Sequence, residues 1–130
     1  MLPYLAMRKY HHYGIPTTEV KEDEFYVEVG SFKFYCTPYE ANEHHIQWQR
    51  FPEGHGLPDL LTKVPHIAFQ VDDLDKEIEG KKVILGPYFP GEGFRVAIID
   101  EQGVPIEFIE TKLNDKEIAE LEKTNIKTEA

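Results

Sequence analysis

Apolar and polar positions alternate with a period of two along most of the chain. Phe25, Val27 and Val29 alternate with Tyr26, Glu28 and Gly30, the pattern of a strand with one buried face. Residues 31–37 (SFKFYCT) predict a second strand, and Ile46, Trp48 and Arg50, alternating with His45, Gln47 and Gln49, predict a third. Residues 52–58 hold two prolines and two glycines and break the pattern. Alternation resumes at 66–71 (HIAFQV). Asp72 or Asp73 can then cap a short helix, with Leu74 and Ile78 four apart on one face and Gly80 at its end. A brief strand is expected at 83–85, and a loop at 86–93, where three glycines and two prolines cluster. That loop reads as either a lid or a long hairpin connection. Residues 94–99 (FRVAII) and 105–110 (PIEFIE) predict two strands joined by a turn at Asp100–Gly103, with Pro105 at a strand start. Asn114 and Glu117 have capping-box spacing. They predict a surface helix that carries Ile118 and Leu121, packs on its own domain and frays near Lys127.

The two β-rich stretches, about 10–51 and 64–111, resemble each other. His12-Tyr-Gly-Ile15 opens the first and His66-Ile-Ala-Phe69 the second: His, bulky, small, apolar. Ile46-Gln-Trp48 closes the first and Ile106-Glu-Phe108 the second. A duplication that sets a polar, ligand-type residue at the same point four times is a candidate for chemistry. Strand parity turns Gln47, His66 and Glu107 away from the apolar layer, toward one shared cavity.

Composition narrows the field. The 130 residues amount to one domain, here 1–113, followed by a helix and tail at 114–130. Hydrophobic residues make up 41% and aromatics 12%, enough for a packed core. Fourteen Lys and Arg against twenty-four Asp and Glu give a net charge of −10, which disfavours nucleic acid and anionic membranes as partners. No apolar run reaches the roughly 20 residues of a membrane helix. The apolar start is followed, not preceded, by Arg8 and Lys9, unlike a secretory signal. A cytoplasmic protein is expected. The single cysteine, Cys36, excludes an internal disulfide and reads as a small buried hydrophobe.

The motifs His12-Tyr-Gly-Ile-Pro16, Pro65-His-Ile-Ala-Phe-Gln-Val-Asp-Asp73 and Gly103-Val-Pro-Ile-Glu-Phe-Ile-Glu110 resemble the vicinal oxygen chelate superfamily. That superfamily includes glyoxalase I, methylmalonyl-CoA epimerase, extradiol dioxygenases and bleomycin-resistance proteins. The resemblance implies an α+β fold of two βαβββ modules, a half-open mixed sheet around one metal. Residues 17–24 are too few for the first module's helix, which is expected to be reduced or absent. Carried over one residue at a time, the metal ligands would be His12, Gln47, His66 and Glu107, a set closest to that of methylmalonyl-CoA epimerase. His11 is the substitute for His12 if the register slips by one. The resemblance also implies a homodimer.

Two imidazoles, an amide oxygen and a carboxylate suit a divalent ion such as Ni, Co, Zn, Mn or Fe. They leave two octahedral positions for a small substrate with oxygens on adjacent carbons. The implied activity is an isomerase, epimerase or lyase acting through an enolate. Glu107 or Glu28 would serve as the base. Two alternatives stay open: an Fe(II) extradiol-type dioxygenase using His12, His66 and Glu107, and a metal-free binding protein of the bleomycin-resistance kind. Of the other candidates, His45 could reach the cavity mouth, although a polar strand start accounts for it and His44. His55 is expected in solvent, and Trp48 in the core.

Overall fold

The computed structural model describes residues 7–123 and 127–128. The first half contains β1 (Arg8–Pro16), β2 (Phe25–Val29), β3 (Phe32–Cys36), a 3-10 turn (Tyr39–Ala41) and β4 (Ile46–Arg50). A short helix, α1 (Asp59–Lys63), links it to the second half. There follow β5 (His66–Val71), α2 (Leu74–Ile78), β6 (Val83–Gly91), β7 (Phe94–Glu101) and β8 (Val104–Thr111). Helix α3 (Asp115–Glu122) and a two-residue strand, β9 (Lys127–Thr128), complete the described chain.

All strands join one mixed sheet in the order β6-β7-β8-β5-β1-β4-β3-β2-β9. The two halves meet where β1 runs antiparallel to β5. Within each half the opening strand lies parallel to the closing one, β1 to β4 and β5 to β8. This is an α+β fold built of paired modules. The sheet curves until β6 packs near β2 and β9, enclosing a concave interior.

Strand parity builds two layers. Ala68, Val96, Ile98 and Ile109 face inward and pack with Phe25, Val27, Val29 and Phe32 from the first half. The opposite face of β5, β7 and β8 carries Val71, Ala97, Ile99 and Phe108, covered by Leu74 of α2. Helix α2 starts where Asp73 accepts a hydrogen bond from the Lys76 N–H. Glu110 of β8 accepts a second from the Leu74 N–H at 2.9 Å. Both satisfy backbone donors that a helix start leaves open. Residues 17–24 of the first half contain no helix.

Three expectations need correction, and one helix was not foreseen. The segment 86–93 is mostly strand and not a loop: β6 continues to Gly91 and pairs with β7 as one arm of a hairpin. Pro87 and Pro90 are tolerated because β6 is an edge strand, where a missing N–H breaks no central ladder. Helix α1 carries no sequence signal beyond Pro58 ahead of it; it forms as Leu61 is buried in the interior. Helix α3 has its capping box, Asn114 with Glu117, but ends at Glu122, and Lys127–Thr128 pair with β2 instead of extending it. Trp48 is half-buried on the outer face of β4, its ring 5.3 Å from Lys21 Nζ, instead of lying in the core.

Candidate metal centre

The centre of the sheet presents two cross-strand rows to the interior. Gln47 of β4, Gly14 of β1 and His66 of β5 are register partners in one row. His12 of β1, Ala68 of β5 and Glu107 of β8 form the other. Each row sets a small residue between two ligand-type side chains, and the rows are related by the internal repeat. The small residue is a physical requirement. A Cβ on Gly14 would fall on the His66 ring. Gly14 therefore makes the space in which that imidazole lies.

His12, His66 and Glu107 meet. The two Nε2 atoms are 3.2 Å apart. Glu107 Oε1 lies 3.0 Å from His66 Nε2 and 3.5 Å from His12 Nε2. The three residues are 4%, 1% and 8% exposed. They each offer one ligand atom to a group that could hold a metal ion, within a 4.8 Å span. Ligand atoms about 2.1 Å from a shared ion stand about 3.0 Å apart at right angles and about 3.4 Å apart at tetrahedral angles. The observed spacings match that range, so the residues fit a divalent ion. The Nδ1 of His66 is buried without a hydrogen-bond partner. That leaves it free to carry the ring proton while Nε2 offers its lone pair.

Burial pushes the His12 imidazole down in pKa, toward its neutral form. Burial opposes charge on Glu107, but the adjacent His12 and His66 outweigh it and hold the carboxyl well below the usual range. A neutral His12 and an ionised Glu107 are protonation states that metal ligands need.

The cluster lies in the wall of a half-open cavity of about 80 Å³. Gln47 is 7% exposed and also lines the cavity, as does Gln49 two residues on. The rest is mainly apolar, including Phe25, Val27 and Phe34 from the first half and Val96 and Ile98 from the second. Ile118 of α3 closes part of the wall, and the helix is tied down by the Tyr39 hydroxyl, which donates to Asp115 Oδ1 at 2.9 Å. Tyr88 also lines the cavity, its phenol kept protonated by burial and by the nearby Glu107.

His11 is the residue that alternation could not place. A β-bulge between Tyr10 and His12 opposes an extra residue of β1 to β5, so His11 and His12 are both buried and both line the cavity. The choice between them by register does not arise. His11 Nδ1 lies 2.7 Å from His12 Nδ1. Burial and His12 push the His11 imidazole down to about 4, so it is neutral at pH 7.

Glu28 is elsewhere. It alternates with Val27 and Val29, away from the cavity, and accepts a hydrogen bond from the Tyr26 hydroxyl. The expectation that it could serve as the base is therefore corrected: parity opposite Val27 and Val29 turns its side chain away from the cavity that Val27 lines. His45 Nδ1 lies 2.8 Å from the His11 carbonyl oxygen, and His45 is not among the residues that line the cavity. His44 is exposed. His55 is half-buried instead of free in solvent: its Nδ1 accepts from the Leu57 N–H at 2.9 Å.

No family model matches the sequence, and no curated protein matches it. Two solved structures are similar. One is a hypothetical protein from Bacillus halodurans C-125, with a TM-score of 0.52 and 20% identity, covering 82% of this chain and 96% of its own. The other is methylmalonyl-CoA epimerase from Mycobacterium tuberculosis, with a TM-score of 0.46 and 16% identity, covering 81% of this chain and 89% of its own. The likeness to the first shows a shared fold across most of both chains.

Proposed function

We propose that this chain is a metal-dependent isomerase, epimerase or lyase for a small substrate with oxygens on adjacent carbons. The observation that carries the reading is the convergence of His12, His66 and Glu107 from three neighbouring strands, inside a cavity. The motif resemblance to the vicinal oxygen chelate superfamily supports it. His12, His66 and Glu107 would hold the ion, with Gln47 as the fourth ligand. A divalent ion at this point supplies Lewis-acid stabilisation of charge developing on a substrate oxygen.

The chain's own groups supply the remainder. Among the described residues lining the cavity, Glu107 is the carboxylate, so it is the group assigned to leave the ion and take a proton from the carbon beside the carbonyl. The apolar wall excludes water and accommodates the unreactive part of the substrate. Two His and one carboxylate also match the ligand set of Fe(II) oxygenases, and that is the second reading.

The test is solvent deuterium incorporation. Protein reloaded with Ni, Co, Zn, Mn or Fe would be incubated in D2O with α-hydroxy ketones, 2-oxoaldehyde adducts and acyl-CoA epimers. The carbon next to the carbonyl is then followed by NMR. Exchange is expected for at least one class, reduced about 10²–10⁴-fold in Glu107→Gln. No exchange with any metal or class would contradict the proposal, and oxygen consumption with Fe(II) and a catechol would favour the second reading.

A further inference from the structure

The bulge in β1 puts one more imidazole into the cavity wall than the proposed centre uses. His11 is 5% exposed, and its ring lies against Tyr39 with centroids 4.4 Å apart. Its Nδ1 faces His12 Nδ1 at 2.7 Å, and its Nε2 is buried without a hydrogen-bond partner. Two ring nitrogens 2.7 Å apart share a single proton: one donates and the other accepts.

The direction follows from the proposed function, on which this inference rests. If His12 gives its Nε2 lone pair to an ion, its proton stays on Nδ1. His12 Nδ1–H then donates to His11 Nδ1. His11, accepting there, carries its own proton on Nε2. That second N–H is the buried atom left without a partner, in a ring that lines the cavity. A buried donor without a partner is costly, and a bound oxygen would remove the cost.

We propose that His11 is a positioning residue that fixes the tautomer and ring orientation of His12, and that its Nε2–H is a hydrogen-bond donor to an oxygen of the bound substrate. His66 has no equivalent support at its Nδ1; its ring is placed by the space over Gly14. Loss of His11 therefore disturbs one imidazole of the pair and leaves the other in place.

The experiment uses the zinc-loaded, ¹⁵N-labelled protein and reads each tautomer from long-range ¹H–¹⁵N correlations. The expected result is a proton on Nδ1 of His12 and on Nε2 of His11. Two variants separate the roles. His11→Asn keeps an acceptor oxygen near the place of Nδ1 and lacks the far N–H; His11→Phe lacks both. Zinc affinity should fall about 10–100-fold in His11→Phe and stay within about threefold of wild type in His11→Asn. Binding of acetohydroxamic acid, which gives up a proton to chelate zinc through two vicinal oxygens, should weaken about tenfold in both zinc-loaded variants.

A proton on His11 Nδ1 in the zinc-loaded protein, or unchanged zinc affinity in His11→Phe, would overturn the positioning role alone. Unchanged acetohydroxamic acid binding in His11→Asn would overturn the donor role. Absence of zinc binding by wild type would overturn the proposed function, and this assignment with it.

Discussion

The two halves of the sheet share a plan and differ in how they are backed. Behind the second half lies α2, with Leu74 fully buried on Val71, Ala97, Ile99 and Phe108. Behind the first half there is no helix in residues 17–24; Trp48 is half-buried with Lys21 over its ring. Equivalent points of the site differ too. The second half supplies a carboxylate, Glu107, where the first supplies an amide, Gln47. The small residue is Ala68 in the second half and Gly14 in the first. The halves thus divide the work: the second contributes charge and a packed platform, the first contributes space and, through His11, support for a ring.

The largest expected effect comes from filling that space. Gly14→Ala would drive a methyl group into the His66 ring. Metal binding should fall at least 100-fold while far-UV circular dichroism stays native-like. Unchanged binding in a titration with Co(II) would mean that the first half's space does not place the second half's ligand.

The platform is tested next. Leu74→Ala should destabilise the fold by about 2–5 kcal/mol, the range for truncating a buried leucine. Trp48→Ala, the matching probe of the first half's outer face, should cost under about 2 kcal/mol. Urea unfolding of both variants reads the contrast. Equal losses would remove the asymmetry.

A smaller effect is acid sensitivity of the metal-free protein. His11 titrates near 4 when folded and near 6.5 when unfolded, so the unfolded chain binds the proton more tightly. The stability tied to its neutral form is complete above about pH 6.5 and is lost as pH falls toward 4. It amounts to about 3 kcal/mol at most. His11→Phe should flatten that part of the stability profile. A profile identical to wild type would show that burial of His11 is not what the acid attacks.

The sequence made some of this legible through period and parity. His66 and Glu107 stand out because Ile67, Phe69, Ile106 and Phe108 mark the other face so clearly. Helices α2 and α3 announce themselves through Asp73 and Asn114. What alternation cannot report is a change of phase. The bulge at Tyr10–His12 brings adjacent residues to one side, and nothing local in the sequence marks it. The continuation of β6 beyond Leu85 was hidden for a different reason: its glycines and prolines read as loop, and only its edge position makes them compatible with pairing. Helix α1 and the β9 pairing depend on what lies beside them, which local pattern does not encode. Glu28 shows the reverse limit, since an outward-facing strand position has no direction in space until the sheet curves.

The most direct test of the central claim is metal content by elemental analysis after chelation and reloading, on wild type, Glu107→Ala and His66→Ala. One equivalent of a divalent ion in wild type, lost in both variants while each remains folded, is the predicted result. A wild-type protein that holds no stoichiometric ion under any loading, or variants that keep it, would contradict a metal centre at His12, His66 and Glu107.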